Sequence, residues 1–534
     1  MSPPTVQDEV IEQTQTTEGQ TQGHDADSHY LSRWPLAFLV MALMASSFML
    51  ALDNTILATA IPQITSDFQS LNDIGWYGAA YLITQMSLLP SSGRIYTLFN
   101  VKYSFCAALV VFEIGSIVCA AAPTSIVLIV GRAIAGAGAA ALLGGATIII
   151  SYSVELRQRA LVMAMLQTVY GVSSILGPLI GGVITDNKKL TWRFCFWINL
   201  PFGALSIAAI WWTLKRPPPA VKGDIPWQSK LQQLDLPGAA CLVSSTVLLL
   251  LALQWGGIVF PWSDARVYGC LLGFGLILIA FVVLQATSKD SCTIPLALFK
   301  NRTMCAACAF IALLQLTMVA QTYYWPIYFQ SVKNTSARTS GIYLLPLIVS
   351  NTVSTLCTGW IISKIGFYVP FMWIGAPVLA VGSGLYLLMQ ITSPARQWIL
   401  YQIVSGIGYG VCAQIPLLSV QVVSNTADVP TACVMVLFFQ GLGGALATSI
   451  GQNLFTDALL ERLRSLPDVD AAAVIKAGAR NFRQIVRHEL LSQVVEAFQY
   501  ASKTVFILAL ASAAGAALIS TAMEWRSVPD TGNP

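Results

Sequence analysis

Three ionisable side chains lie within apolar runs long enough to cross a bilayer: Asp53, Glu113 and Arg132. Charge at such depth is expensive, so each is by default a functional residue that needs a partner. Asp53 stands nine residues before Pro62, roughly 13 Å down its run, and Arg132 lies roughly 12 Å into another run entered from the same side. Equal depth and opposite charge let them meet. A dry cavity favours the neutral form of a carboxylate and a nearby cation favours its charged form, so such a pair suits reversible protonation. A static buried salt bridge is the alternative. Glu113, roughly 15 Å into its run from the opposite side, is the reserve proton carrier; capping a neighbour's hydroxyl is its structural alternative.

A second constellation is uncharged. Thr317, Gln321, Tyr324 and Tyr328 are spaced by four, three and four residues, which places them on one helical face. Rings for contact area and a few polar groups for orientation suit a bulky organic molecule. We therefore expect a substrate cavity there, joined by Gln402. A hydrogen-bonded helix interface is the other reading.

The elements that position these groups must be membrane helices. Hydrophobic residues make up 55% of the 534 and charged residues only 10%, against roughly 25% charged in a soluble domain. The net charge of +4 is small and dispersed through short loops, which argues against nucleic acid. His24, His29 and His488 all lie outside the apolar runs, so no metal site is expected. Cys305 and Cys308 form a lone CxxC inside such a run and read as packing.

Counting runs of about 20 apolar residues gives fourteen spans between residues 35 and 523. An even number puts both termini on one side. With the termini inside, inner segments carry fourteen Lys and Arg and short outer loops carry seven, so both termini are expected to be cytoplasmic. The expected organisation is a disordered tail over 1–33, a six-helix bundle over 34–215, a linker with two inserted helices over 216–300, a second six-helix bundle over 301–525, and a short tail over 526–534. Within the second bundle, Phe482, Ile485, Val486, Leu490, Val494 and Phe498 keep near-helical spacing, so the outer loop 456–501 should hold a surface helix. Asn334-Thr335-Ser336 in another outer loop is a glycosylation sequon, in a loop too short for ready use.

The two bundles are repeats. Pro62 and Pro326 stand 264 residues apart, Gly75 and Gly341 266, Gly93 and Gly359 266, Arg132 and Gln402 270, and Gln167 and Gln440 273. Parallel duplication of six spans, with a site between the halves near the bilayer midplane, is a recurrent transporter architecture. In this register Thr317 corresponds to Asp53, so ionisable coupling groups belong to the first half only.

The stretch Leu166 to Asp186, LQTVYGVSSILGPLIGGVITD, organises the first half. Ser173, Gly177 and Gly181 recur every fourth residue and form a shallow groove that a neighbouring helix can enter. Pro178 removes a backbone donor and frees the carbonyl of Ser174, which must find another partner. Gly171, Gly177, Pro178, Gly181 and Gly182 resemble the fifth-span signature of proton-coupled antiporters in the major facilitator superfamily. Further stretches resemble its fungal fourteen-span drug:proton antiporters: LDNTILATAIPQI from Leu52, GRIYTLFNVKY from Gly93, GRAIAGAGAA from Gly131, WRFCFWINLPFG from Trp192 and DLPG from Asp235. The loop between spans 2 and 3 departs from the family in carrying Thr97, Leu98 and Asn100, which leaves Gly93, Arg94 and Lys102 for cytoplasmic gating.

The resemblance implies an all-α major facilitator fold and export of toxic secondary metabolites or xenobiotics at the plasma membrane, with the vacuolar membrane as the alternative. It implies a small-molecule substrate, protons and the lipid bilayer as partners, a monomer, and a proton gradient in place of any cofactor. A P-loop cannot form, since the chain has no Gly-Lys dipeptide, and no cluster of catalytic groups suggests an enzyme. An uptake carrier, such as the related siderophore importers, is the second reading.

Overall fold

The structure is a computed structural model and describes residues 33–70, 73–186, 191–214, 226, 230, 233–257, 260–287, 292, 294–425, 427–466 and 469–528. The expected disordered tail, 1–33, lies outside the described residues apart from Arg33, which opens the first helix.

Five long helices come first: α1 (Arg33–Phe68), α2 (Ile74–Leu98), α3 (Val101–Ala120), α4 (Ser125–Ser153) and α5 (Leu156–Asp186). A short turn, α6 (Phe194–Trp197), leads into α7 (Asn199–Thr213). The inserted pair is α8 (Leu236–Trp255) and α9 (Ala265–Thr287). The second half contains α10 (Arg302–Ser331), α11 (Ala337–Ile342), α12 (Leu345–Ile365), α13 (Val369–Leu385), α14 (Ala395–Cys412), α15 (Ile415–Val423), α16 (Val429–Arg464), α17 (Ala471–Ile485) and α18 (Leu491–Ser520). Twelve helical segments among the described residues are long and apolar enough to cross a membrane.

Local chemistry sets the helix ends. Asn100 opens α3 by accepting the Lys102 N–H, and Asn301 opens α10 by accepting those of Thr303 and Met304. Such caps satisfy donors that the first turn leaves free. Asp235 opens α8 by accepting the Gly238 N–H at 2.8 Å, and its other oxygen accepts from Gln285 of α9 at 2.5 Å. The DLPG motif thus caps one inserted helix and ties it to the other. Gly366 closes α12 at φ 77°, a left-handed conformation that costs glycine little.

The duplication is visible in the packing. In the first half α3 and α2 pack on α4, and α1 packs on α5 and α7; in the second, α13 and α12 pack on α14, and α10 packs on α16 and α18. Glycines repeat the same close approaches. A Cβ on Gly136 would strike Tyr81 and Thr84, and one on Gly406 would strike Leu347 and Ser350, each partner 266 residues on. Gly138 backs onto Phe112 as Gly408 backs onto Leu379.

The halves meet through α5 with α12 and α2 with α16. On the face where the described chain begins and ends, Gly93 touches Pro430, Thr431 and Val434, while its repeat mate Gly359 touches Ala160, Leu161 and Ala164. Arg159 donates to Gln421 across the same seam at 3.3 Å. At the opposite, far face the end glycines Gly75, Gly78 and Gly341 have no atom within 4 Å of an added Cβ. The halves are therefore closed together on the terminal face.

The far-face segment differs from the single surface helix expected over 456–501. α16 continues to Arg464, α17 ends at Ile485, and Val494 and Phe498 already belong to α18. Phe482 stacks on Phe498 at 4.6 Å, and both are buried with Val494 against the second bundle, while Ile485 is exposed. Asn334 is exposed at φ 55° in the turn after α10.

The groove of α5 is filled from within its own bundle. A Cβ on Gly177 would strike Thr55 of α1, and one on Gly181 would strike Thr59 and Ile56. Thr55 Oγ1 also donates to the carbonyl of Ser173 at 3.2 Å, next to the carbonyl that Pro178 leaves without its helical donor. Gly171 instead faces Thr352 and Ile348 of the other half, and Gly182 faces open space. Overpacking typically costs about 1–3 kcal/mol. Gly177→Leu should therefore lower the melting temperature of the purified protein, whereas Gly182→Ala should leave it unchanged or slightly raised. Equal shifts in the two variants would contradict this assignment of faces.

Candidate functional site

α1 divides its work among three consecutive residues, each turned roughly 100° from the last. Asp53 points into the first bundle and is fully buried; Asn54 faces the space between the halves; Thr55 packs on α5. This explains why LDNTILATAIPQI carries so many polar residues in one span.

Asp53 and Arg132 do meet. Arg132 Nη1 lies 2.5 Å from Asp53 Oδ2, and both side chains are 1% exposed. Asn199 Nδ2, at the start of α7, donates to Asp53 Oδ1 at 3.1 Å and lies 3.2 Å from Ser116 Oγ of α3. Arg132 Nε donates to the Tyr77 carbonyl at 3.0 Å, and the guanidinium lies 4.3 Å above the Tyr81 ring. The site thus draws on α1, α2, α3, α4 and α7. Arg132 Nη2 and Asn199 Oδ1 are buried with no hydrogen-bond partner among the described residues.

Glu113 lies one turn before Ser116 on α3, half-buried, with its carboxylate against Gly203 of α7. Neither of its buried oxygens has a hydrogen-bond partner among the described residues. Gly203 is the last residue of the WRFCFWINLPFG stretch, whose other parts are also accounted for: Trp192 Nε1 donates to Asp67 at 2.7 Å and Arg193 to the Ala120 carbonyl at 2.9 Å. Neither Asp53, Arg132 nor Glu113 lines the central cavity.

That cavity, of about 420 Å³, lies between the halves. Its wall includes Asn54 of α1, Gln85 of α2, Gln167 and Tyr170 of α5, Gln315 and Tyr323 of α10, Gln414 between α14 and α15, and Gln440 and Thr448 of α16. Met86, Leu89, Met163 and Leu166 supply apolar surface. No Asp, Glu, Lys, Arg or His is among its described lining residues.

The stripe expected to line this cavity does not. Thr317 lies 2.8 Å from Ser512, Gln321 donates to Ser383 and accepts from Ser405, and Tyr328 donates to the Gln390 carbonyl. Tyr324 packs on Phe455. These residues bind α10 to α13, α14, α16 and α18 inside the second bundle. Gln402, buried with both amide atoms unpartnered among the described residues, is likewise internal. Ile311, Gln315, Val319 and Tyr323, turned roughly 200° away on α10, are the residues that face the cavity.

The expected gating residues serve three different contacts. Gly93 sits in the seam described above, Arg94 Nε donates to the Gln233 carbonyl ahead of α8 at 3.3 Å, and Lys102 Nζ donates to the carbonyls of Trp211 and Leu214 at the end of α7. Asn100, which marks the departure from the family loop, is the helix cap.

Comparison with known proteins agrees with this architecture. Residues 43–448 match the profile of the Major Facilitator Superfamily. The chain is 56% identical over 518 residues to the MFS-type transporter ltbE of Aspergillus luteorubrus, covering 97% of this chain and 95% of that one. It is 39% identical over 507 residues to the efflux pump aflT of Aspergillus parasiticus, covering 94% and 98%. Among solved structures, a bacterial homologue of the iron transporter ferroportin in its outward-facing state superposes with a TM-score of 0.59 at 12% identity, over 92% of this chain and 99% of that one, a likeness of fold alone. With a duplicated bundle, a cavity between its halves and full-length relatives of this kind, the chain belongs to the Major Facilitator Superfamily.

Proposed function

We propose that this protein exports small organic molecules, secondary metabolites or xenobiotics, in exchange for protons. The observation that carries the reading is the separation of a sealed ion pair, Asp53 with Arg132, from an uncharged cavity between two repeated bundles. Relatives named as efflux pumps support export over uptake. In this reading α2 and α5 complete fourteen spans. The terminal face is cytoplasmic, in keeping with its excess of Lys and Arg, and the protein works as a monomer in the plasma membrane. Closure on that face then corresponds to an outward-facing state.

Asp53 is the proton carrier. While ionised it is held by Arg132 and Asn199, which ties α1 to α4 and α7. A proton on Asp53 removes the charge that Arg132 answers, so the hold on α1 weakens. α1 also carries Asn54 into the cavity and Thr55 against α5, so its movement reaches both the substrate and the seam between the halves. Substrate and proton thereby favour different arrangements of one bundle against the other, which is the coupling that antiport requires.

Asp53→Asn should abolish export driven by a pH gradient in proteoliposomes while substrate exchange across the membrane persists. Pumping at the wild-type rate would refute the assignment. Glu113→Gln should retain gradient-driven export; its loss there, with Asp53→Asn active, would transfer the role to Glu113. Arg132→Lys keeps the charge but not the planar fork that reaches Asp53 and the Tyr77 carbonyl together, so it should slow export about tenfold or more. A wild-type rate would mean that charge alone matters.

A further inference from the structure

The inserted pair α8 and α9 is more than a spacer between the repeats. α9 presents Leu272, Leu276, Ile279 and Val283 outward, but α8 lies across the seam where α2 and α16, one from each half, approach each other. Against α2 its contact is apolar: Leu250, with Val247 and Leu251, packs on Ala79, Ile83 and Met86. Against α16 it is polar. Ser449 donates to the Leu253 carbonyl at 2.9 Å and Asn453 to the Gly256 carbonyl at 3.3 Å, while Trp262 Nε1, beyond α8, donates to Asn453 at 3.1 Å. α8 therefore contacts both halves, with the side-chain hydrogen bonds at this level made by α16.

From this position α8 sends Leu250 and, one turn later, Gln254 into the central cavity. Gln254 is exposed there and its amide makes no hydrogen bond to any described residue. Gln85, Gln167 and Gln414 likewise offer uncommitted amides from other elements, whereas Gln315 is already engaged, accepting from Tyr409 at 2.8 Å. Each free amide can both donate and accept. A charged ligand entering this wall would lose hydration and meet no countercharge, a penalty that an uncharged molecule escapes.

We propose that α8 is part of the substrate-binding surface, with Gln254 selecting uncharged organic molecules that carry both hydrogen-bond donors and acceptors. The inference rests on the exporter reading for the use of the cavity but not for its chemistry. It predicts that a neutral molecule rich in hydrogen-bonding groups is held by amides from both halves and from the inserted helix at once.

The test uses equilibrium binding to the full-length protein in nanodiscs, with no gradient and three probes: neutral dihydroxyanthraquinone, cationic rhodamine and anionic fluorescein. Wild-type protein should bind the neutral probe at least tenfold more tightly than either ion. Gln254→Leu should weaken that binding by roughly fivefold to tenfold, the usual cost of one lost hydrogen bond, and Gln254→Glu should gain affinity for rhodamine. Leu276→Ala, on the outward face of α9, should change nothing. Gln254→Ala serves as a second variant should the leucine lower the melting temperature. Wild-type affinity in both Gln254 variants, or ions bound as well as the neutral probe, would overturn the proposal. Selective, Gln254-dependent binding without gradient-driven export would sustain it and remove the proton-driven reading; export that ignores Gln254 would do the reverse.

Discussion

A carboxylate and a guanidinium buried together at mid-membrane depth are tolerable only while each answers the other. Removing both ions from water costs several kcal/mol each, and losing one partner of a buried pair commonly costs about 3–5 kcal/mol. Asp53 and Arg132 therefore dictate much of the first bundle around them. Gly136 lets α4 approach α2 closely enough for Arg132 to lie over Tyr81, Gly131 backs onto Cys119 of α3, and Asn199 brings α7 to the remaining carboxylate oxygen. A proton on Asp53, as proposed, would change what five helices are organised to satisfy.

The second half keeps this architecture and discards its charge. Where the first has Asp53 and Arg132, the second has Thr317 bonded to Ser512 and a buried Gln402. A neutral network of Gln321, Ser383 and Ser405 ties α10, α13 and α14 together. In the proposed mechanism the first half is the one that responds to protonation. The cavity between the halves has no Asp, Glu, Lys, Arg or His among its described lining residues, so in the proposed mechanism proton and substrate communicate through helix position.

The sequence reveals features governed by spacing or charge. The repeat is legible because glycines that permit backbone contact recur at fixed offsets, and Asp53 meets Arg132 because depth in a helix follows from residue count. Gly177 and Gly181 announce a groove for the same reason. What spacing cannot supply is the direction of a face. α10 carries polar residues on two opposite sides, and Thr317, Gln321, Tyr324 and Tyr328 form as regular a stripe as Gln315 and Tyr323; only packing distinguishes interior from cavity. Asn199 is hidden for another reason. It follows a short turn, α6, so its depth cannot be counted from a helix start, although its place at the head of NLPFG in an otherwise apolar run is a signal of the kind that singled out Asp53. The cavity amides come from at least five elements distant in sequence, and Gln254 comes from a helix outside the repeat altogether.

In the proposed mechanism, protonation of Asp53 and occupancy of the cavity oppose each other at a distance. The most direct measurement is the affinity of the purified protein for dihydroxyanthraquinone as the solution is acidified. Coupling through helix position predicts that affinity falls and then levels off at a finite value, because the protonated protein still possesses the whole cavity, and that the dependence disappears in Asp53→Asn. A tenfold fall with every unit of pH and no plateau would mean that proton and ligand compete for one group, and would contradict the separation of the two sites.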